Sequence, residues 1–355
     1  MNDTILLNDR QEAILKLIED KGELPRLALS KLVSFRKPIS KITLIRDINY
    51  LINAKLLLTK GKGRATRYML PNLNPLLKYL DLNEYFNKEP EAREGKINFD
   101  TEIFGKLKNL FTEQEKTKWN QASIEFKKRI TRLDANIKKR ELERFIVEFS
   151  WKSAQIEGNT YDLLETETLL TQNIEAEGHS KEEAEMLINH KKAFDTILKN
   201  KEDFKVLNFR GVIQLHEVLT RGLTTAGIRK QTVRIAGTSY IPDFSGSDLK
   251  THLQKTIKVI NETDFPPQKA LIAAVMIAYI QPFVDGNKRT GRTLSNAILL
   301  AHDFFPLSYR NVDVNEYKKA LIIFYEQNNL YQFKKIFSQQ LKFALNNYFN
   351  YAKIT

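Results

Sequence analysis

The 355-residue chain contains no cysteine. That absence excludes disulfides, cysteine-ligated zinc, iron–sulfur clusters and thiol catalysis, and it fits a reducing cytosol. Glycine and proline are sparse, at 14 and 10 residues. Apolar residues recur mostly three and four positions apart, so the reading is a mainly α protein. Long apolar runs are also missing: the longest, Ala270 to Ile280, has 11 residues, against the ~20 that a helix needs to cross a bilayer. The start, MNDTILLNDR, lacks the basic and apolar regions of an export signal, so the expectation is a cytoplasmic protein with no membrane partner. The histidines, His179, His190, His216, His252 and His302, show no H-x-x-x-H spacing and predict no metal site.

Positive charge is what the chain has in excess. There are 56 Lys and Arg against 43 Asp and Glu, a net charge of +13, which favours anionic partners such as nucleic acid or nucleotides. Residues 1–75 hold 14 of the basic and 7 of the acidic residues, over half of that excess. The apolar spacing in this stretch predicts helices over Arg10–Asp20, Arg26–Leu32 and Lys41–Asn53, the last capped by Ser40. A hairpin follows over Leu56–Leu70, turning at Gly-Lys-Gly-Arg. The pattern from Ser40 to Leu51 followed by GKGRATRYML resembles a winged helix-turn-helix domain. That resemblance implies DNA contact through Lys41, Thr43 and Arg46 on the third helix and Lys62, Arg64 and Arg67 on the hairpin; a protein-docking or dimerisation role is the alternative use of such a fold.

Beyond this region, Leu76–Phe86 reads as helix, NKEPEAREGK as a linker with a hinge, and the charged stretch from Asp100 to Arg144 as helical, either a solvated connector or a packing helix, without chemistry. The most informative segment is Gln281-Pro-Phe-Val-Asp-Gly-Asn-Lys-Arg-Thr-Gly-Arg292. Gly286 permits a tight turn, and the next helix offers its N–H groups and positive end to an anion. Asp285 supplies an oxygen for a divalent ion of the Mg²⁺ type, while Lys288, Arg289 and Arg292 can neutralise phosphate. This is the inventory of a nucleotide polyphosphate site.

The string is similar to the H-P-F-x-D-G-N-(G/K)-R-x-x-R signature of the Fic family, helical proteins that mostly transfer AMP from ATP to protein hydroxyl groups. A second stretch, Ser153-Ala-Gln-Ile-Glu157-Gly158-Asn159, resembles the S/T-x-x-x-E-G/N motif of the family's inhibitory helix. The resemblance implies a mainly α Fic core with a short β-hairpin flap, ATP as substrate or ligand with Mg²⁺ at Asp285, and nucleotide contacts from Gly286, Asn287, Lys288, Arg289 and Arg292. It further implies that Glu157, with Ser153 and Gly158, pairs with Arg292 and keeps the γ-phosphate out, and that Tyr317 contributes to an adenine pocket. The flap falls at Arg229–Pro242, where Val233, Arg234, Ile235 and Gly237 would hold a target segment by strand addition.

The signature position of the family's general base is Gln281. A carboxamide accepts a hydrogen bond but takes no proton near neutrality, so base assistance of about 10²–10⁴-fold is missing. A degenerate member that binds nucleotide and signals by conformation, a slow or altered catalyst, and an inactivating substitution all fit this residue. His216 reads as a packing histidine.

The resulting organisation is a winged helix over 1–75, a helical connector over 76–138, and a Fic domain over 139–345 with its inhibitory helix at about 145–159. The function expected is an adenylyltransferase, autoinhibited by Glu157 and weakened at Gln281. The alternative is a DNA-binding regulator whose degenerate core binds nucleotide or mediates assembly. Partners that follow are a protein bearing a Ser, Thr or Tyr hydroxyl, DNA through residues 1–75, and a second copy of the chain.

Overall fold

The computed structural model describes residues 7–33, 39–54, 56–71, 74–78, 80, 82–243 and 245–350. Its contacts divide the chain into two compact units, Met1–Asn87 and Lys88–Thr355.

In the first unit the three helices stand where the apolar spacing puts them: α1 (Asp9–Lys21), α2 (Arg26–Val33) and α3 (Lys41–Asn53). Asn8 and Gln11 close a capping box at the start of α1, and Ser40 Oγ accepts the Thr43 N–H at the start of α3. These bonds satisfy backbone donors that a helix start leaves unpaired. The helices bury Ile14, Ile18, Leu29, Leu44, Ile48 and Leu51 in a common core. Strands β1 (Leu24–Pro25), β2 (Leu58–Lys60) and β3 (Arg67–Met69) form an antiparallel sheet in the order β1-β3-β2, with Leu24 opposite Tyr68 and Lys60 opposite Arg67. Among the described residues, the helix expected over 76–86 is reduced to a 3₁₀ turn at Pro75–Leu77 and the single turn α4 (Leu82–Tyr85).

The second unit contains α5 (Ile103–Lys106), α6 (Glu113–Arg132), α7 (Ala135–Ile156), α8 (Leu163–Gln172), α9 (Lys181–Lys199), α10 (Phe209–Thr220), α11 (Gly246–Asn261), α12 (Pro266–Ile280), α13 (Asn287–Ala301), α14 (Val314–Gln327) and α15 (Tyr331–Asn347). Its centre is α12, buried along nearly its whole length. A helix that is apolar all round belongs inside a core. Gly291 of α13 lets that helix lie against α12, since a Cβ there would come within 2.8 Å of the Ala274 carbonyl oxygen.

The boundary between the units falls at the start of the polar run expected to be a linker. The later part of that run is held to the second unit: Arg93 forms a buried ion pair with Glu326 at 3.1 Å, and the Lys96 N–H donates to the Glu326 carbonyl at 2.6 Å. The charged stretch beyond it also packs into this unit, with Phe99 against Tyr279 and Phe126 against Phe305. High charge hides these anchors in the sequence, because only a minority of residues in each helix point inward.

Residues 229–242 do not form the expected β-hairpin. Among the described residues the segment has no paired strand, only one parallel bridge between Asn98 and Ile241. Arginine side chains hold it in place of a ladder. Arg93 donates to the Gly237 carbonyl at 2.5 Å, and Arg229, 1% exposed, donates to the carbonyls of Gln281 (2.7 Å), Gln231 (2.6 Å) and Asp243. The Val233–Ile235 alternation therefore belongs to a segment without strand pairing, in which Val233 and Ile235 are half-buried and Arg234 is exposed.

Candidate functional site

The site forms where α12 ends and α13 begins. Gln281 caps α12 in the left-handed region with φ 49°, and Gly286 precedes α13 with φ 75°. Gly286 is required on two grounds: its positive φ, and the 2.7 Å approach to Thr220 Cγ2 that a Cβ would suffer. Asn287 closes the loop between them. Its Oδ1 accepts the Phe283 N–H and its Nδ2 donates to the Phe283 carbonyl, both at 2.9 Å. Both polar ends of the Asn287 side chain are thus engaged in shaping the loop, and its backbone N–H stands at the start of α13.

No side chain caps the α13 N-terminus, so its first N–H groups remain available to an anion. Arg289, 1% exposed, spends one nitrogen on Asp285 at 2.6 Å, while its Nε and Nη1 are buried without a partner. Arg292, fully buried, likewise has an unpartnered Nη1. Buried donors of this kind cost free energy unless a ligand or water satisfies them. An oxyanion ligand fits that need.

Glu157 lies against the same cations. It is the C-cap of α7, with Gly158 continuing at φ 102°, the left-handed exit common at helix ends. Glu157 Oε1 accepts from Arg292 at 2.8 Å and Oε2 lies 2.7 Å from Lys288 Nζ. Burial alone would raise the Glu157 pKa, but the charges of Arg292 and Lys288 outweigh it and hold the carboxyl at about 2. Arg292 also donates through Nε to Ser153 Oγ at 3.0 Å and through Nη2 to the Ser153 carbonyl at 2.8 Å. Ser153, Glu157 and Arg292, drawn from two separate motifs, thus form one connected cluster.

Other expected residues stand differently. Tyr317 is buried behind Arg292, with the guanidinium 5.5 Å from its ring centroid and Phe333 packed on it at 5.3 Å. Asp285 is largely exposed outside its Arg289 pair, and the described residues contain no cluster of three or more His, Asp or Glu arranged for a metal. One carboxylate is nonetheless sufficient for Mg²⁺ that arrives with phosphates. Gln281 donates its carboxamide N–H to the Ala278 carbonyl at 2.7 Å, leaving only its weakly basic oxygen for other work.

Three residues carry no signal in the sequence. Arg229 staples the 229–242 segment to the signature loop through the Gln281 carbonyl. His216 donates from Nε2 to the Asp285 carbonyl at 3.0 Å and stacks on Phe283 at 3.7 Å. Burial first, then the nearby Arg289 charge, lowers its pKa to about 4 despite the carbonyl contact. His190 touches Ser153. All three are separated from the signature by tens of residues, so only folding reveals the contact.

In the first unit, Lys41, Arg46, Lys62, Arg64 and Arg67 are exposed. Thr43 is half-buried and its hydroxyl is 2.9 Å from Ser40 Oγ, so it serves the helix cap.

Residues 206–299 match the Fic/DOC family, a span that holds α10 to most of α13 and the signature loop. Among curated relatives, the chain is 31% identical over 185 residues to protein adenylyltransferase Fic of Culex quinquefasciatus, covering 49% of this chain and 36% of the relative. It is 29% identical to the Aedes aegypti protein of the same name over 180 residues, 48% and 35% of the two chains. The chain therefore spans about a third of the length of the curated relatives it matches. Solved structures include Fic-1 from C. elegans, with TM-score 0.54, 16% identity and coverage of 95% of this chain and 97% of that one. A Fic domain containing signaling protein from Bacteroides thetaiotaomicron gives TM-score 0.52 and 20% identity, over 65% and 94%. The fold is that of Fic proteins, mainly helical with few strands. No helix among the described residues is long and apolar enough to cross a membrane.

Proposed function

We propose that this chain is a protein adenylyltransferase of the Fic type, using ATP to modify a protein hydroxyl, restrained by Glu157 and weakened in base catalysis by Gln281. The observation that carries the reading is the Glu157 carboxylate clamped between Lys288 and Arg292 at 2.7 and 2.8 Å. Those cations would otherwise meet a terminal phosphate, so carboxylate and phosphate compete for the same charge. Arg289, with two unpartnered buried donors beside the α13 N-terminus, fits the remaining phosphates. Mg²⁺, held by Asp285 and the phosphates, would neutralise charge on the polyphosphate. The relatives named adenylyltransferases support ATP as the nucleotide.

The attacking hydroxyl must be aligned with the α-phosphate and lose its proton. Residues 232–235, which carry no strand pairing and follow the Arg229 bond to the Gln281 carbonyl, suit the docking of an extended target segment. Gln281 orients such a hydroxyl without accepting its proton. The test is transfer of labelled AMP by Gln281→His and by Gln281→His/Glu157→Gly. The double variant is expected to label itself or a lysate protein, about 10²–10⁴-fold faster than the Glu157→Gly chain alone. Failure of both to transfer AMP while retaining ATP affinity would remove the assignment.

A second reading concerns the first unit. Three helices with an antiparallel wing and five exposed cations on α3 and the hairpin favour a winged helix that contacts DNA phosphates. The two readings are compatible within one chain.

A further inference from the structure

Behind the Glu157 contact a buried chain of hydrogen bonds joins Ser153 and Arg292 of the two motifs to a residue that belongs to neither. His190, on α9 and fully buried, places Nδ1 2.8 Å from the Met186 carbonyl oxygen and Nε2 2.9 Å from Ser153 Oγ. A carbonyl oxygen only accepts, so Nδ1 carries a proton. Burial, and next the positive charge of Arg289, pushes the His190 pKa down to about 3, so at neutral pH Nε2 carries no proton and acts as an acceptor. The Ser153 O–H must then donate to Nε2. Its oxygen is left with lone pairs directed elsewhere, and Arg292 Nε–H donates into it at 3.0 Å. The polarity of every bond from Arg292 to Met186 is thereby set by one carbonyl.

We propose that His190 is a positioning residue for the inhibitory contact: it fixes the Ser153 hydroxyl as the acceptor that draws Arg292 against the end of α7, beside Glu157. The inference rests on the reading that Glu157 competes with ATP for Arg292, and it adds a third helix to that restraint. The basis is geometric. Ser153 and Glu157 are one turn apart at the end of α7, and Arg292 reaches both, through Nε to the serine and Nη2 to the carboxylate. The Phe149 ring, one turn before Ser153, meets the imidazole edge-on at 5.8 Å, so the ring is packed in the orientation that points Nε2 at the hydroxyl. Without this acceptor, the Ser153 proton has no assigned partner and its oxygen is free to rotate away from Arg292. The guanidinium is then shared between Glu157 and an incoming phosphate on less unequal terms.

The test is calorimetric titration of Mg·ATP into the full chain, comparing wild type, Glu157→Gly, His190→Phe, His190→Gln and Ser153→Ala, with thermal unfolding to confirm each is folded. His190→Phe keeps a ring in place and removes the acceptor. It is expected to bind ATP about 3- to 10-fold more tightly, the range one buried hydrogen bond supplies. It should also speed amide exchange over residues 153–158. His190→Gln, whose carboxamide oxygen replaces the acceptor, should restore wild-type affinity, which a purely space-filling role would not do. Ser153→Ala should match His190→Phe, and His190→Phe added to Ser153→Ala should change nothing more. If His190→Phe does not fold, Ser153→Ala and His190→Gln carry the same comparison. Tighter binding by Glu157→Gly with wild-type binding by His190→Phe and Ser153→Ala would overturn the role of His190. Unchanged binding by Glu157→Gly would instead overturn the competition on which it rests.

Discussion

In the α13 cradle, Arg289 and Arg292 are almost wholly withdrawn from solvent, and a single carboxylate reaches two of the three cations there. On the hairpin of the first unit, Lys62, Arg64 and Arg67 stand in solvent. Both regions add to the same net charge, yet they commit it differently. Buried cations demand partners at fixed distances and become strongly coupled to whichever anion is present; exposed ones are screened, weakly coupled and free to meet a large anionic surface. The proposed ligands follow that difference: a small anion for the buried cations and an extended one for the exposed cations.

The comparison is most sharply tested by deletion. Arg292→Ala removes a buried guanidinium bonded to Ser153 and Glu157 and is expected to cost about 3–5 kcal/mol of stability, measured by denaturant unfolding. An Arg67→Ala substitution on the hairpin should stay within about 0.5 kcal/mol. Equal costs would erase the distinction drawn between the regions.

Acid titration gives the next effect. The Glu157 carboxyl is held at about 2, below its ordinary range. A depressed carboxyl contributes stability that is complete above its unfolded pKa and is lost as pH falls through that value towards the folded one. The stability difference between wild type and Glu157→Gln should therefore be flat from about pH 6 to 8 and shrink below about pH 4.5. A difference that changes between pH 6 and 8 would mean that some other group controls the contact.

The smallest effect belongs to the exposed face. In the full chain, replacing Arg46, Arg64 or Arg67 with alanine should lower the salt dependence of DNA binding by about one unit of log–log slope for each phosphate no longer neutralised, with thermal stability unchanged. Unaltered slopes in all three would remove DNA phosphates as their partners.

Much of this site is legible along the chain because its geometry is local. Gln281 to Arg292 spans a helix end, a turn and a helix start, so a glycine with positive φ, uncapped N–H groups and flanking cations can be read from residue order. The hairpin of the first unit is legible for the same reason, its turn lying between two β-prone runs. The alternation in 229–242 suggests a hairpin that the fold does not contain, because alternation reports which side chains face inward, while strand pairing depends on a neighbour. Here Arg93 and Arg229 supply the bonds instead. The anchors of the polar run after residue 87 are equally hidden along the chain, since Arg93 and its partner Glu326 lie 233 positions apart.

By itself the sequence determined a helical protein without disulfides and a loop whose glycine, cations and helix start suit phosphate, since composition and short-range spacing settle such features; that Gln281 stands at a base position is what the resemblance to the Fic signature implies. Only the tertiary structure decided that Glu157 engages Lys288 as well as Arg292, that Asn287 is spent on closing its loop, and that His190 and His216 stand behind the site. Those facts depend on which helices pack together, and long-range packing is set by the shape of the whole core.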